Sequence, residues 1–313
     1  MAEAQVAEMA DNRVNDVPGE PSGGGSGIVT ISGTTSVYGV WGWPVSHTRS
    51  PKMQNAALWA LGLDAVYVPF AVSPERVGEA IAGIRALGIV GVNVTVPLKE
   101  LVPPFLDHLD PVAARLGVVN TIANRNGELW GYTTDGPGLL ADLRMMGWPV
   151  SGMSVYIFGA GGSARAVADA LASAGNRIQI ANRTAERAAA LAAQINEAFP
   201  GSAQAVAWGE SAEPVDLVIN TTSLGMRPNE DTMPLVPAGL FHNNPRVYDL
   251  VYAPEETRLL QAAKESGCLK ANGLGMLAFQ GALSLSHWTG KPLEEIPVKT
   301  MMLALRGIPD ANA

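Results

Sequence analysis

SVYIFGAGGSARAVADALASAGNRIQIANRTAER, residues 154–187, decides how this chain folds. Four β-formers, Val155, Tyr156, Ile157 and Phe158, run into Gly159-Ala160-Gly161-Gly162-Ser163-Ala164, and an Ala-rich helical segment follows at once. Strand, glycine turn and helix start in that order spell G-x-G-x-x-A, a dinucleotide-binding arrangement. Gly159 permits the tight turn, Gly161 lets a pyrophosphate approach the backbone, and Ala164 keeps the helix close to the strand. Ala160, Gly162 and Ser163 complete the loop. Its phosphates would meet the unpaired N–H groups of the helix start, where the helix dipole also favours negative charge.

The next strand, Arg177-Ile178-Gln179-Ile180-Ala181, leads to Asn182-Arg183-Thr184, with Arg187 one helical turn on. A site for NAD carries an Asp or Glu about 20 residues past the glycines, on the ribose 2′-hydroxyl. Here that neighbourhood offers guanidinium groups instead. Their charge and fork geometry match a 2′-phosphate. NADP is favoured over NAD.

The 313 residues suffice for two domains, and 47% hydrophobic with 16% charged residues describes a globular chain. A net charge of −8 without a basic run argues against nucleic-acid and membrane partners. The single cysteine, Cys268, rules out an intrachain disulfide framework and suits a cytoplasmic protein. Residues 1–27, acidic and small and ending in a Gly/Ser run, lack the basic and apolar regions of a signal peptide. They read as a disordered tail, and residues 1–35 are set apart from the fold. No apolar run reaches the roughly 18 residues of a membrane span.

From Ser36 onward strands and helices alternate. Strands are expected at 36–42, 65–70, 91–96, 121–125 and 128–130, the last two joined by the hairpin signal Asn126-Gly127. Helices are expected at 51–61, 74–87, 100–107, 111–116 and 139–147. Past the dinucleotide unit come strands near 205–208, 215–220 and 246–251, then helices at 274–288 and 298–305. Such alternation predicts an α/β fold with a mainly parallel sheet and a cleft between two domains. Residues 36–138 would form an α/β substrate domain, completed by C-terminal helices in 273–313. Residues 139–272 would form a Rossmann-type NADP-binding domain.

Lys99 follows the strand Gly91–Val96 directly, at the kind of strand end where ligands collect in open α/β sheets. A lysine there can donate a proton to an oxygen that gains charge during hydride transfer. Asp135, in the glycine-flanked loop 131–138, is its best acidic partner. The same lysine also reads as a surface residue at a helix start.

Spaced motifs add to this. Gly42-Trp43-Pro44-Val45-Ser46-His47-Thr48-Arg49-Ser50-Pro51 resembles the G-x-P-x-x-H-S-x-S-P motif of the shikimate dehydrogenase family. Asn93-Val94-Thr95-Val96-Pro97-Leu98-Lys99 matches its N-V-T-x-P-x-K, and Val119-Asn120-Thr121 its V-N-T. Gly131–Gly136 resembles G-x-N-T-D-G, and Asn182-Arg183-Thr184 matches N-R-T. Tyr248–Pro254 and Asn272–Leu277 also fit.

The resemblance implies NADPH-dependent, reversible reduction of 3-dehydroshikimate to shikimate, a step toward aromatic amino acids. It implies Lys99 as the acid/base and Asp135 as its partner. Thr48 and Ser50 would hold the substrate carboxylate. Asn93, Asn120 and Gln280 would bond the ring hydroxyls, with Thr95 and Tyr252 completing the pocket. Beside the glycine loop, Asn182, Arg183, Thr184 and Arg187, the cofactor would meet Thr222 and Gly275. The partners are then small molecules, and the enzyme a monomer or homodimer.

Two positions depart from the pattern. Thr48 keeps the hydroxyl of the family's serine but adds a methyl, and Thr133 replaces an asparagine amide beside Asp135. Both bear on substrate preference, so a quinate or aminoshikimate paralogue is the alternative. An alternative of another class is a non-catalytic NADP-binding regulator. His47 reads as a structural loop residue, and the scattered His108, His242 and His287 suggest no metal cluster.

Overall fold

The structure, a computed structural model, describes residues 31–210 and 213–308. The expected tail lies outside the described residues up to position 30; Thr34 and Thr35 donate hydroxyl hydrogen bonds to Asp64. The chain then runs β1 (Ser36–Gly42), α1 (Ser50–Ala60), β2 (Ala65–Ala71), α2 (Val77–Ala86), β3 (Gly91–Val94), β4 (His108–Leu109), α3 (Pro111–Leu116), β5 (Thr121–Arg125), β6 (Glu128–Tyr132) and α4 (Asp135–Met145). It continues through β7 (Ser154–Phe158), α5 (Gly162–Ser173), β8 (Arg177–Ala181), α6 (Ala185–Ala198), β9 (Ala203–Val206), β10 (Leu217–Asn220), β11 (Arg246–Asp249), α7 (Arg258–Glu265), β12 (Lys270–Asn272), α8 (Leu274–Thr289) and α9 (Val298–Arg306).

Two six-stranded sheets result, one per lobe. The second, ordered β12-β11-β10-β7-β8-β9, is parallel throughout. Its centre is β7, where Val155 to Phe158 are fully buried, as a strand covered on both faces requires. Chain order reverses between β10 and β8 on either side of β7. The loops after these three strands, at Gly159, Asn182 and Thr221, therefore open on one crevice, the switch point where such sheets bind ligands.

The first sheet is ordered β2-β1-β3-β5-β6-β4 and is mixed. β1–β2, β1–β3 and β4–β6 pair parallel, as the alternation of strands and helices predicts, while β3–β5 and β5–β6 pair antiparallel. The hairpin at Asn126-Gly127 sets the β5–β6 pairing: both residues have positive φ, 56° and 93°. The expected helix at 100–107 is absent. Two short 3-10 turns, Leu98–Glu100 and Pro103–Phe105, lead into β4 instead. Pro103 and Pro104 supply no N–H groups to a helical ladder.

Helix α4 starts at Asp135, earlier than the expected 139, and so includes Gly136 and Gly138. A Cβ at Gly136 would lie 2.3 Å from the Ala166 carbonyl of α5, and one at Gly138 would lie 2.8 Å from the Gln280 nitrogen of α8. This helix thus packs on both lobes at once, and Asp135 is carried at its first turn. The C-terminal helices return to the first lobe. Ala278, Ala282 and Leu285 of α8, with Met301 and Leu305 of α9, share a core with Tyr38, Val40, Met53 and Leu58. No helix among the described residues is long and apolar enough to cross a membrane.

Candidate active site

The end of β3 and the start of α4 bring Lys99 and Asp135 together. Lys99 Nζ donates to Asp135 Oδ2 at 2.5 Å and to Ser163 Oγ at 3.2 Å. Ser163 in turn donates to Asp135 Oδ2 at 3.3 Å. The two charged side chains are only 12% and 6% exposed, so each depends on the other for compensation. Because Ser163 belongs to the glycine loop, this pair touches the second lobe directly.

The other Asp135 oxygen, Oδ1, accepts from Asn120 Nδ2 at 2.7 Å. The same amide reaches Thr134 Oγ1 at 2.9 Å and Gln280 Oε1 at 3.3 Å, and Asn120 Oδ1 accepts from the Thr134 N–H at 2.8 Å. Asn120 therefore ties β5, the Asp135 turn and α8 into one unit. Thr133 plays no part in that support; among the described residues its buried hydroxyl has no hydrogen-bond partner.

Asn93 is held just as fully. Its amide donates to Ser284 Oγ at 2.8 Å and to Thr121 Oγ1 at 3.2 Å. Its oxygen accepts from the Tyr67 hydroxyl at 2.8 Å. Burial pushes the Tyr67 phenol well above its ordinary pKa, opposed by a hydrogen bond from Ser50. Thr48 Oγ1 accepts from the Ser50 N–H at 3.2 Å, which leaves the Thr48 hydroxyl proton free to point outward.

A cavity of about 180 Å³ lies over these groups. Thr48, Ser50, Asn93, Thr95, Lys99, Asn120, Asp135, Tyr252 and Gln280 all line it, joined by Ser163 and His47. Residues separated by more than two hundred positions thus converge on one space. The arrangement offers neutral donors and acceptors around one buried ammonium–carboxylate pair, suited to a small polyhydroxylated molecule that exchanges a proton.

The dinucleotide elements stand beside it. Gly159 has φ +109°, and a Cβ there would meet Thr221 Oγ1 at 2.5 Å. A Cβ at Gly161, by contrast, would meet nothing within 4 Å, leaving open the space a pyrophosphate needs. The first turn of α5, from Gly162 through Ala164, carries no acidic residue. Arg183 and Arg187 are exposed, and neither pairs with an acid among the described residues. Asn182 donates to the Thr184 carbonyl at 2.9 Å, fixing that turn. Thr222 donates to Asn220 Oδ1 at 2.7 Å next to the glycine loop. These residues fit an NADP molecule, with Arg183 and Arg187 free for its 2′-phosphate.

Gly275, expected at the cofactor, does not line the Lys99 cavity. A Cβ there would collide with the Asp142 carboxylate at 2.0 Å, and it is Gly273 that lines the Lys99 cavity. Tyr67, Ser284 and Thr121 escaped the sequence reading. Ser284 lies four residues beyond Gln280, on the same face of a helix, which was the available signal. A buried group around Asp249 was missed as well. Asp249 accepts from Asn220 Nδ2 at 2.9 Å, the Val251 N–H at 3.0 Å and Thr257 Oγ1 at 2.6 Å, and burial raises its pKa to about 6.

Known proteins match this arrangement along nearly its whole length. The family model for the shikimate dehydrogenase substrate binding domain matches residues 40–122, and that for shikimate / quinate 5-dehydrogenase matches 143–225. The NADP(+) shikimate dehydrogenase of Moorella thermoacetica is 45% identical over 89% of this chain and 95% of its own. A crystal structure of a shikimate dehydrogenase in complex with NADP+ superposes with a TM-score of 0.83 at 42% identity, covering 90% and 98% of the two chains. The 5-ketofructose reductase of Gluconobacter shares the fold too, with a TM-score of 0.79 at 35% identity over 88% and 99%. With the Lys99–Asp135 pair, the glycine loop and the arginine-bearing turn all in place, the chain belongs to the shikimate dehydrogenase family.

Proposed function

We propose that this chain is an NADP-dependent shikimate dehydrogenase, reducing 3-dehydroshikimate to shikimate reversibly, with Lys99 as acid/base and Asp135 as its partner. The observation that carries the reading is the buried Lys99–Asp135 contact of 2.5 Å, with Ser163 of the glycine loop bonded to both. It supports proton transfer at the point where substrate lobe and nucleotide lobe meet.

NADP, when bound, supplies or accepts the hydride. The side chains do the rest. As the ketone carbon gains hydride, negative charge develops on its oxygen, and the Lys99 ammonium delivers a proton there. Asp135 holds Nζ in line and stabilises its charge, an interaction strengthened by the dry surroundings. In the reverse direction neutral Lys99 takes the hydroxyl proton while hydride leaves the same carbon. Asn120 orients Asp135, and Asn93 and Gln280 present polar edges to the ring hydroxyls. Thr48 and Ser50 receive the carboxylate at the start of α1, where the helix dipole favours an anion. Gly273, rather than Gly275, is the glycine of that segment suited to face the nicotinamide.

The single buried Cys268 fits a reducing cytoplasm, and a monomer or homodimer satisfies a site built wholly within one chain. The test is the absorbance of reduced nicotinamide when pure protein meets shikimate or quinate with NADP or NAD. Turnover confined to shikimate with NADP is expected. Preferred turnover of quinate moves the chain to the paralogous activity, and binding of NADPH without turnover on either acid overturns the catalytic reading.

A further inference from the structure

Arg49 stands between the two hydroxyl residues that line the cavity, Thr48 and Ser50, and reaches across the cleft. Its guanidinium carbon lies 5.8 Å from the centroid of the Tyr252 ring and one of its nitrogens 4.0 Å from the Glu255 carboxylate. The charge of Arg49 partly offsets the upward push of burial on the Tyr252 phenol. Tyr252 and Glu255 follow β11 in the nucleotide lobe, so one residue of the substrate lobe meets the other lobe at two points. The Arg49 side chain is 32% exposed, whereas Glu255 is 69% exposed and hydrated. An ion pair with so exposed a partner at that distance neutralises little of the arginine's field.

Charge bookkeeping inside the cavity then matters. The charge of Lys99 is cancelled by Asp135 at 2.5 Å. Thr48 and Ser50 offer hydroxyls, which bond a carboxylate and a neutral carbinol alike. The fold does not require an anion either, since the 5-ketofructose reductase that shares it takes its name from a neutral sugar. The start of α1 already favours an anion beside the hydroxyl pair, and Arg49, whose side chain does not itself line the cavity but whose guanidinium lies over Tyr252, which does, adds a full positive charge at its border.

We infer that Arg49 is the residue that makes this site select a substrate bearing a carboxylate, acting as a fixed positive charge at the cleft mouth held in place by Tyr252. The inference rests on the shikimate reading of the cavity. It assigns the hydroxyls of Thr48 and Ser50 to positioning and the guanidinium to discrimination.

The experiment compares kcat and KM for shikimate and for its carboxamide, with NADP+ saturating, in the wild type and in Arg49→Met, Arg49→Lys and Glu255→Gln. Arg49→Met is expected to lower the carboxylate-to-carboxamide ratio of kcat/KM by about ten- to hundredfold, chiefly through the KM for shikimate. Arg49→Lys should keep most of that ratio, because the charge remains. Rising salt should erode kcat/KM for shikimate in the wild type and leave Arg49→Met nearly flat. A ratio unchanged in Arg49→Met, or reduced equally in Arg49→Lys, overturns the inference. Should Arg49→Met fail to fold, the salt dependence of the wild type decides, and its absence overturns the proposal; Glu255→Gln, which removes a hydrated carboxylate that screens little of Arg49, should leave the ratio within about twofold, and a larger change overturns the reading of Arg49 as the uncompensated charge. Wild-type protein inert toward shikimate overturns the substrate reading itself, an outcome distinct from every variant result.

Discussion

Arg115 of α3 and Asp169 of α5 join the two lobes through a bidentate ion pair. Arg115 Nη2 lies 2.8 and 2.9 Å from the two Asp169 oxygens, and Nε lies 3.0 Å from Oδ1. Burial raises the Asp169 pKa even so, with Arg115 opposing the shift. The pair sits beside a small apolar contact of Leu116 and Val118 with Ala166. Replacing Arg115 with Ala leaves a buried carboxylate without compensation. A loss of about 1–3 kcal/mol is expected, below the range of fully buried pairs because Arg115 is partly exposed. Urea unfolding of Arg115→Ala, Asp169→Ala and the double variant checks it; additive losses would contradict direct coupling.

Lys99→Ala should lower kcat by about 10²–10⁴-fold, the usual worth of a positioned acid/base. Asp135→Asn keeps the shape but loses the charge that places the ammonium, and a fall of at least about tenfold in kcat is expected. Reduced-nicotinamide absorbance at saturating substrate measures both. Turnover near the wild-type rate in Lys99→Ala would remove it from the chemistry.

Arg183→Ala should raise the Kd for NADP by about ten- to hundredfold, the worth of a charge-assisted hydrogen bond to phosphate, and change NAD binding about twofold or less. Titration of the protein with each nucleotide shows the difference. Equal losses for both would place Arg183 away from the 2′-phosphate.

Asp249 gives a pH signature. Its folded pKa, raised by burial to about 6, exceeds the ordinary value of 3.8, so between these the folded state binds more protons than the unfolded one. Stability therefore falls as pH rises through this window, and at neutral pH the charged carboxylate costs on the order of 2–3 kcal/mol. Asp249→Asn can keep its oxygen facing Asn220 and Val251 while its amide donates to Thr257. The variant should lose this part of the pH dependence between about 4 and 6. Urea midpoints of the two proteins across that range should converge at the acid end; parallel curves would count against the buried carboxylate.

Local chemistry made the nucleotide lobe legible. Gly159, Gly161 and Ala164 between a strand and a helix allow few arrangements, and the spacing to Arg183 follows from one helix, one turn and one strand. The pairing of Lys99 with Asp135 could be anticipated because a buried ammonium needs a nearby acid; the motifs carried Thr48, Ser50, Asn93, Thr95, Asn120 and Tyr252, and the family resemblance added Gln280. Local patterns also mark turns, so Asn126-Gly127 gave the hairpin, while Pro103-Pro104 should have warned against a helix at 100–107.

Only the tertiary structure decided what depends on contacts between distant segments. Whether Asn120 supports Asp135, whether Tyr67 and Ser284 hold Asn93, and whether Gly273 or Gly275 faces the cavity are matters of which helices cross and how closely. Helix α4, packed through Gly136 and Gly138 against both lobes, sets where Asp135 meets Asn120. Arg115 with Asp169, and Arg49 with Tyr252, are likewise set by the docking of the lobes. Periodicity and turn chemistry act over a few residues, and hydrogen-bond partners from 15 to 191 residues apart become neighbours only when the core has packed.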